Sequence, residues 1–192
     1  RAYIFVDTLS RVLEYNKYKV YHIENITDVG HLVSDTDFNE DKMMKALRRE
    51  RLEPSLKSLK FLAYKYTKAF KKDIKDLHII SPDKWTRATS YIKEMVKLIK
   101  KIFEKGFAYE TDLAVYFDVS KMKDYTKFSG QVLSEKLVGA RDEVEIDDGK
   151  KNPADFVLWF KLAGKNKNHI MSWPSPWGEG FPGWHIECSA MS

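Results

Sequence analysis

Phe181-Pro182-Gly183-Trp184-His185-Ile186-Glu187-Cys188-Ser189-Ala190-Met191-Ser192 closes the chain and holds its only cysteine. A Pro-Gly turn leads into this run, and a helix is expected to start at Trp184. On a helix, residues three apart share a face, so His185 and Cys188 would stand on the same side. Three roles are open to the thiol. It can pack as a small hydrophobe, ligate a metal beside imidazole and carboxylate donors, or act as a nucleophile with a base and an orienting group. One cysteine does not close a zinc site, and no CxxC or HExxH pattern supplies partners. Ligands for a metal on Cys188 must then come from distant positions or from outside these residues.

Upstream, Trp173 to Gly183 is a loop rich in Trp, Pro and Gly. Its tryptophans, with Trp184, either pack as a rigid loop or form an aromatic wall for a small ligand. Ile170-Met171-Ser172-Trp173 and Ala154 to Phe160 read as strands. So does the alternation of Leu113, Val115 and Phe117, and that of Val144 and Ile146 with acids. Asp147-Asp148-Gly149 reads as a turn. Before Gly106, a plausible C-cap, the pattern is helical. Leu56, Leu59, Leu62, Tyr66, Ala69, Phe70, Ile74 and Leu77 keep one helical period. After the break at Ser81-Pro82-Asp83, a second long helix is expected from Lys84 to Lys105. The acidic stretch from Asp35 to Asp41 is turn-rich. Ala2 to Tyr15 reads as a helix, Lys19 to Ile23 as a short strand, and Asn25-Ile26-Thr27-Asp28-Val29-Gly30 as a polar turn. A polar turn after a strand is where α/β sheets present ligand contacts. Thr27 and Asp28 can meet a ligand there, or cap local backbone as Asx and ST turns do.

The 192 residues, 43% hydrophobic and 14% aromatic, suffice for one large or two small globular domains. No apolar run approaches the roughly 20 residues that span a bilayer. The N-terminus lacks a signal-peptide layout, and a lone cysteine suits a reducing cytosol, so a cytoplasmic location is expected. The net charge is +5 and the pI about 9.0. Lysines crowd between Lys57 and Lys105, which is either a solvated helical face or a surface for nucleic acid.

Several blocks together carry a resemblance. They are Asn25-Ile26-Thr27-Asp28-Val29, Arg87-Ala88-Thr89, Gly139-Ala140-Arg141 and Lys151-Asn152-Pro153-Ala154-Asp155-Phe156-Val157-Leu158-Trp159. Ser172-Trp173-Pro174-Ser175-Pro176-Trp177-Gly178 and the closing run from Pro182 complete the set. In order and spacing, from Arg1 to Ser192, the chain resembles the cysteinyl-tRNA synthetase family of class I aminoacyl-tRNA synthetases. The closing block is highly specific; the NITD block alone would not be.

The resemblance implies an α/β fold: part of a Rossmann-type catalytic domain with a mixed α+β connective insertion. The expected divisions are 1–106 (first half of the catalytic domain with a helical extension), 107–180 (the insertion) and 181–192 (start of the second half). It also implies that residues 1–192 lie between the family's HIGH and KMSKS segments and are inactive alone. Cys188 matches one of four zinc ligands, two cysteines, a histidine and a glutamate, the others lying outside residues 1–192. His185 and Glu187 do not match ligands. Trp184 and Thr27 match substrate-contacting positions. Phe160 departs from the family, which more often has Lys directly after the Trp; the change should alter only a strand of the insertion.

The implied reaction joins L-cysteine to tRNA(Cys) at the expense of ATP, with Mg2+. Zinc would take the substrate thiolate as a ligand and reject serine's poorer, less acidic hydroxyl, which a hydrophobic pocket discriminates weakly. No residue here is expected to act as an acid–base catalyst, because such chemistry rests on positioning and charge stabilisation. Two other readings stand beside this one. One is the cysteine ligase of mycothiol biosynthesis, which acts on an amino-sugar and needs no tRNA. The other is a non-catalytic RNA-binding paralogue, against which the intact NITD and GWHIEC segments speak.

Overall fold

The computed structural model describes residues 1–29, 42–128, 130 and 147–192. The acidic stretch 35–41, the Gly139-Ala140-Arg141 block and the strand expected around Val144 and Ile146 lie outside the described residues.

Helix α1 spans Ala2–Tyr15, as its apolar spacing predicts. It buries none of its residues, and Ile4, Phe5, Leu9 and Val12 are exposed. Two polar contacts fasten it to the segment after the long helix: Ile80 N–H donates to Asp7 Oδ1 at 2.8 Å, and Arg11 donates to the His78 carbonyl at 3.0 Å.

The strand expected at 19–23 forms later, as β1 (Ile23–Ile26), and takes in Asn25 and Ile26 of the expected turn. Its partner is β2 (Lys84–Arg87), where a helix was expected to begin. The two run parallel, from Ile23 opposite Lys84 to Ile26 opposite Arg87. Pairing satisfies the facing backbone edge of both short segments, and that non-local gain overrides a local preference for helix at Lys84. A 3-10 turn, Ala88–Ser90, then leads into a shorter helix than expected, running Ile92–Glu104.

Between β1 and β2 lie α2 (Lys42–Arg49) and α3 (Leu56–Asp76). Ser55 caps α3 by accepting from Ser58 N–H at 3.1 Å. Leu47 of α2 packs with Leu59 and Leu62 of α3 and with Met171. The helix Ile92–Glu104 is α4.

Beyond Gly106, whose φ of +76° suits glycine at a helix end, comes an antiparallel sheet. Its strands are β3 (Ala108–Glu110), β4 (Ala114–Phe117), β5 (Phe156–Lys161) and β6 (Gly180–Pro182), neighbours in that order. The alternation around Leu113–Phe117 and the run 154–160 thus become β4 and β5. Ile170–Trp173 does not form the expected strand; Trp173 makes only a bridge to Gly180. Strand β6 carries no strand signal in its composition. It holds an edge position, where Pro182 costs no ladder bond to a further neighbour. Phe160, the departure from the family pattern, stacks on Phe181 across this pair at 5.0 Å.

Helix α5, Trp184–Met191, begins where the sequence predicts. The main core lies between α4, α5 and the antiparallel sheet. It gathers Val29, Met95, Ile99, Val115, Trp159, Ile186 and Met191, all nearly or fully removed from water. Each such side chain contributes on the order of 1.5–3 kcal/mol by burial. This cluster joins the end of β1 to α5, and so links the two regions that carry the candidate site. No helix among the described residues is long and apolar enough to cross a membrane.

Candidate active-site face

The carboxyl end of the parallel pair is held by side chains rather than by backbone alone. Thr86, 1% exposed, donates its hydroxyl to Asn25 Oδ1 at 2.6 Å, across the register pair they form. Asp28 follows β1 and is buried. Its two carboxylate oxygens accept from Thr89 N–H at 2.9 Å and from the Thr89 hydroxyl at 2.8 Å. Arg87 Nη1 lies 3.7 Å from the same carboxylate. The NITD and Arg87-Ala88-Thr89 segments are therefore one clasp. Asp28 is spent on structure, so of the two turn residues able to meet a ligand, only Thr27 is presented. Its side chain is exposed between buried Ile26 and buried Asp28 and Val29.

Against the same buried core, the Pro-Gly turn sets the start of α5. Gly183 donates its N–H to the Leu158 carbonyl at 2.9 Å. A Cβ on Gly183 would sit 2.1 Å from the Val157 carbonyl oxygen, so only glycine permits this approach. The helix then turns Ile186, Glu187 and Met191 inward and leaves Trp184, His185 and Cys188 exposed. Trp184 and Cys188 are four residues apart and share the outer face. Trp184 keeps 67% of its surface exposed, a large aromatic residue with little to pack on among the described residues.

The neighbours of Cys188 are committed differently from the thiol itself. His185 rests its ring on Phe156, centroids 4.6 Å apart. Glu187 is fully buried and points into the core. The thiol is free and exposed, which removes the reading of Cys188 as a buried hydrophobe. A free, exposed thiol fits a single zinc donor. Among the described residues, no group of three or more His, Cys, Asp and Glu side chains gathers to complete such a site. The tryptophans of the preceding loop divide. Trp173 and Trp177 pack against the main core, Trp177 also 6.3 Å from Phe103, whereas Trp184 remains available.

Thr27, Trp184 and Cys188, nominated by the resemblance, lie at exposed positions next to residues of one shared buried cluster. Sequence reasoning missed the parts played by Thr89 and Arg87, which lie 61 and 59 residues from Asp28. The only signal for them was their presence in a block of the resemblance.

The family model for "tRNA synthetases class I (C) catalytic domain" matches residues 1–192. The cysteine–tRNA ligase of Zymomonas mobilis is 44% identical over 192 residues, covering 100% of this chain and 35% of its own length. That of Deinococcus radiodurans is 45% identical over 186 residues, 97% of this chain and 35% of its own. That of Thermus thermophilus is 44% identical over 192 residues, 100% and 38%. The chain thus spans little more than a third of the length of these curated relatives. Matched from Arg1 to Ser192, and carrying at the carboxyl end of its parallel strand pair an exposed threonine beside a buried clasp, this chain belongs to the class I (C) tRNA synthetase catalytic-domain family.

Proposed function

We infer that residues 1–192 are part of the catalytic region of a cysteine–tRNA ligase and contribute substrate-binding surface to it. The carboxylate of L-cysteine attacks the α-phosphorus of Mg2+-bound ATP; a new O–P bond forms and pyrophosphate leaves with the old one. The cysteinyl group then passes to the terminal adenosine of tRNA(Cys), releasing AMP. The observation that carries this reading is the pairing of an exposed Thr27 with an exposed Trp184–Cys188 face on one shared core, in a chain matched along its whole length by the family.

In this reading Thr27 offers a hydroxyl to the amino acid and Trp184 packs beside it. Cys188 supplies one zinc ligand, the remaining ligands coming from outside these residues. When bound, the zinc ion supplies a thiophilic centre that favours the substrate thiolate over a serine hydroxyl. The chain's own residues bind and orient; none of them is assigned a proton transfer. Residues 1–192 alone are inactive in this account, a cytoplasmic location fits the single cysteine, and 107–180 act as the insertion between two parts of the catalytic domain.

The test uses the full-length protein. It should catalyse cysteine-dependent ATP–pyrophosphate exchange and charge tRNA(Cys). Cys188→Ala should lower bound zinc by metal analysis and raise misactivation of serine. Unchanged zinc content would remove Cys188 from the ligand set. Ligation of cysteine to a small amino-sugar, with no tRNA charging, would overturn the assignment in favour of the mycothiol-type ligase.

A further inference from the structure

The lysine-rich helix α3 lies outside the Thr27 clasp and the Trp184–Cys188 face. Helix α3 carries seven lysines and two aspartates in its 21 residues. Its inner face holds Leu59, Leu62, Thr67 and Ile74, which are buried. The opposite face presents Lys57, Phe61, Tyr64, Lys68, Lys72 and Lys75, spaced by three and four residues and so aligned in one stripe. All six are exposed, Phe61 by 53% and Tyr64 by 59%. At about 1.5 Å per residue the stripe is roughly 27 Å long. A shallow open trough of about 490 Å³ runs along it, lined by Phe61, Tyr64, Lys65, Lys68, Ala69 and Lys72.

The charges on this face are only partly compensated. Lys65 pairs with Glu50 and Lys72 with Asp76. Lys57, Lys68 and Lys75 make no ion pair among the described residues and point their charge at solvent. An aromatic pair flanked by uncompensated lysines is the arrangement that holds a nucleic-acid strand: cations for phosphates, ring faces for unstacked bases. A protein partner fits less well, because lysine is depleted in the cores of protein interfaces. Helix α1 supplies the contrast. It exposes Ile4, Phe5, Leu9 and Val12 and contains no lysine, as a face meant for more protein would.

We propose that the outer face of α3 is an RNA-contact surface, with Lys57, Lys68 and Lys75 on backbone phosphates and Phe61 and Tyr64 stacking on an unpaired base. The RNA is the tRNA substrate, so the inference rests on the ligase reading and adds to it a surface away from the amino-acid site.

The experiment compares full-length wild type with two double variants, Lys57→Gln/Lys68→Gln and Phe61→Ala/Tyr64→Ala. The probe is in vitro transcribed tRNA(Cys), with Kd measured across a salt series. The lysine variant should flatten the slope of log Kd against log salt by about 1.5, at roughly 0.7–0.9 per lost phosphate contact. The aromatic variant should weaken binding at least about fivefold, the low end for one stacked base. Cysteine-dependent ATP–pyrophosphate exchange should be unchanged in both. Equal Kd and salt slope in variants and wild type, with wild type still charging the tRNA, would overturn this surface while leaving the ligase reading intact. A wild type without exchange or charging would overturn the ligase reading itself. If the aromatic variant lowers the thermal midpoint without weakening tRNA binding, the face packs against other polypeptide and the proposal fails.

Discussion

Replacing Asp28 with asparagine tests whether the clasp beneath Thr27 is what holds the candidate site. The carboxylate is 6% exposed and accepts two bonds from Thr89, at 2.9 and 2.8 Å. Bonds to a charged, buried group are worth about 1.5–3 kcal/mol each, and neutral ones about 0.5–1.5. Asparagine keeps the shape and can keep both contacts as neutral ones, since the Thr89 hydroxyl can rotate to accept. The loss is then about 1 kcal/mol per bond, or about 2 kcal/mol together. The Arg87 contact adds little: it is long, 3.7 Å, and its guanidinium is 40% exposed, which places it with surface pairs worth under about 1 kcal/mol. At 1.36 kcal/mol per decade, a loss of about 2 kcal/mol is a roughly 30-fold change in a local opening equilibrium.

The observable is amide hydrogen exchange at Thr89, whose N–H is one of the two donors. In the full-length protein, Asp28→Asn should speed exchange there by about 30-fold. Because Asp28 adjoins Thr27, the KM for cysteine in pyrophosphate exchange should rise several-fold with a smaller change in kcat. Protection at Thr89 unchanged within about threefold would refute the clasp as drawn. A higher KM without faster exchange at Thr89 would show that Asp28 acts on substrate directly rather than by holding the turn.

Two further perturbations probe the elements that place α5 and brace the antiparallel sheet. Gly183→Ala puts a Cβ 2.1 Å from the Val157 carbonyl oxygen, a backbone atom that does not swing aside; it should cost about 3 kcal/mol, the upper end for overpacking, and an unshifted urea midpoint would mean α5 does not enter by this close approach. Tyr109 is buried and donates to Asp155 at 2.7 Å, and burial first, then that bond, raises its pKa above the ordinary 10.0. The folded state therefore keeps a proton that the unfolded chain releases, so this stabilisation is complete below pH 10 and is lost as pH rises toward the folded value. Wild type should lose more stability between pH 8 and pH 11 than Tyr109→Phe does, by urea unfolding at both; equal losses would remove Tyr109 as the source.

What the sequence makes legible here is what is local. Helices α1 and α3 follow directly from apolar spacing, and α5 from a Pro-Gly turn ahead of Trp184. Lys84–Arg87 misleads because Ser81-Pro82-Asp83 imitates a helix cap, while the strand exists only because β1 lies beside it. Gly180–Pro182 has no strand composition and forms β6 only as an edge partner of β5. The same division runs through the candidate site. Thr27 and Asp28 are adjacent and alike in polarity, yet Thr89, 61 residues on, takes Asp28 into structure and leaves Thr27 outward. His185 and Cys188 share a run, yet Phe156 takes the imidazole while the thiol stays free. In both pairs the residue left for a ligand is the one with no distant structural partner among the described residues. Such partners are invisible to periodicity and spacing, since a contact across roughly 30 or 60 residues is set by how strands and helices dock, not by local propensity. Residue type therefore nominates the chemistry of this face, and tertiary packing decides which nominee remains free to perform it.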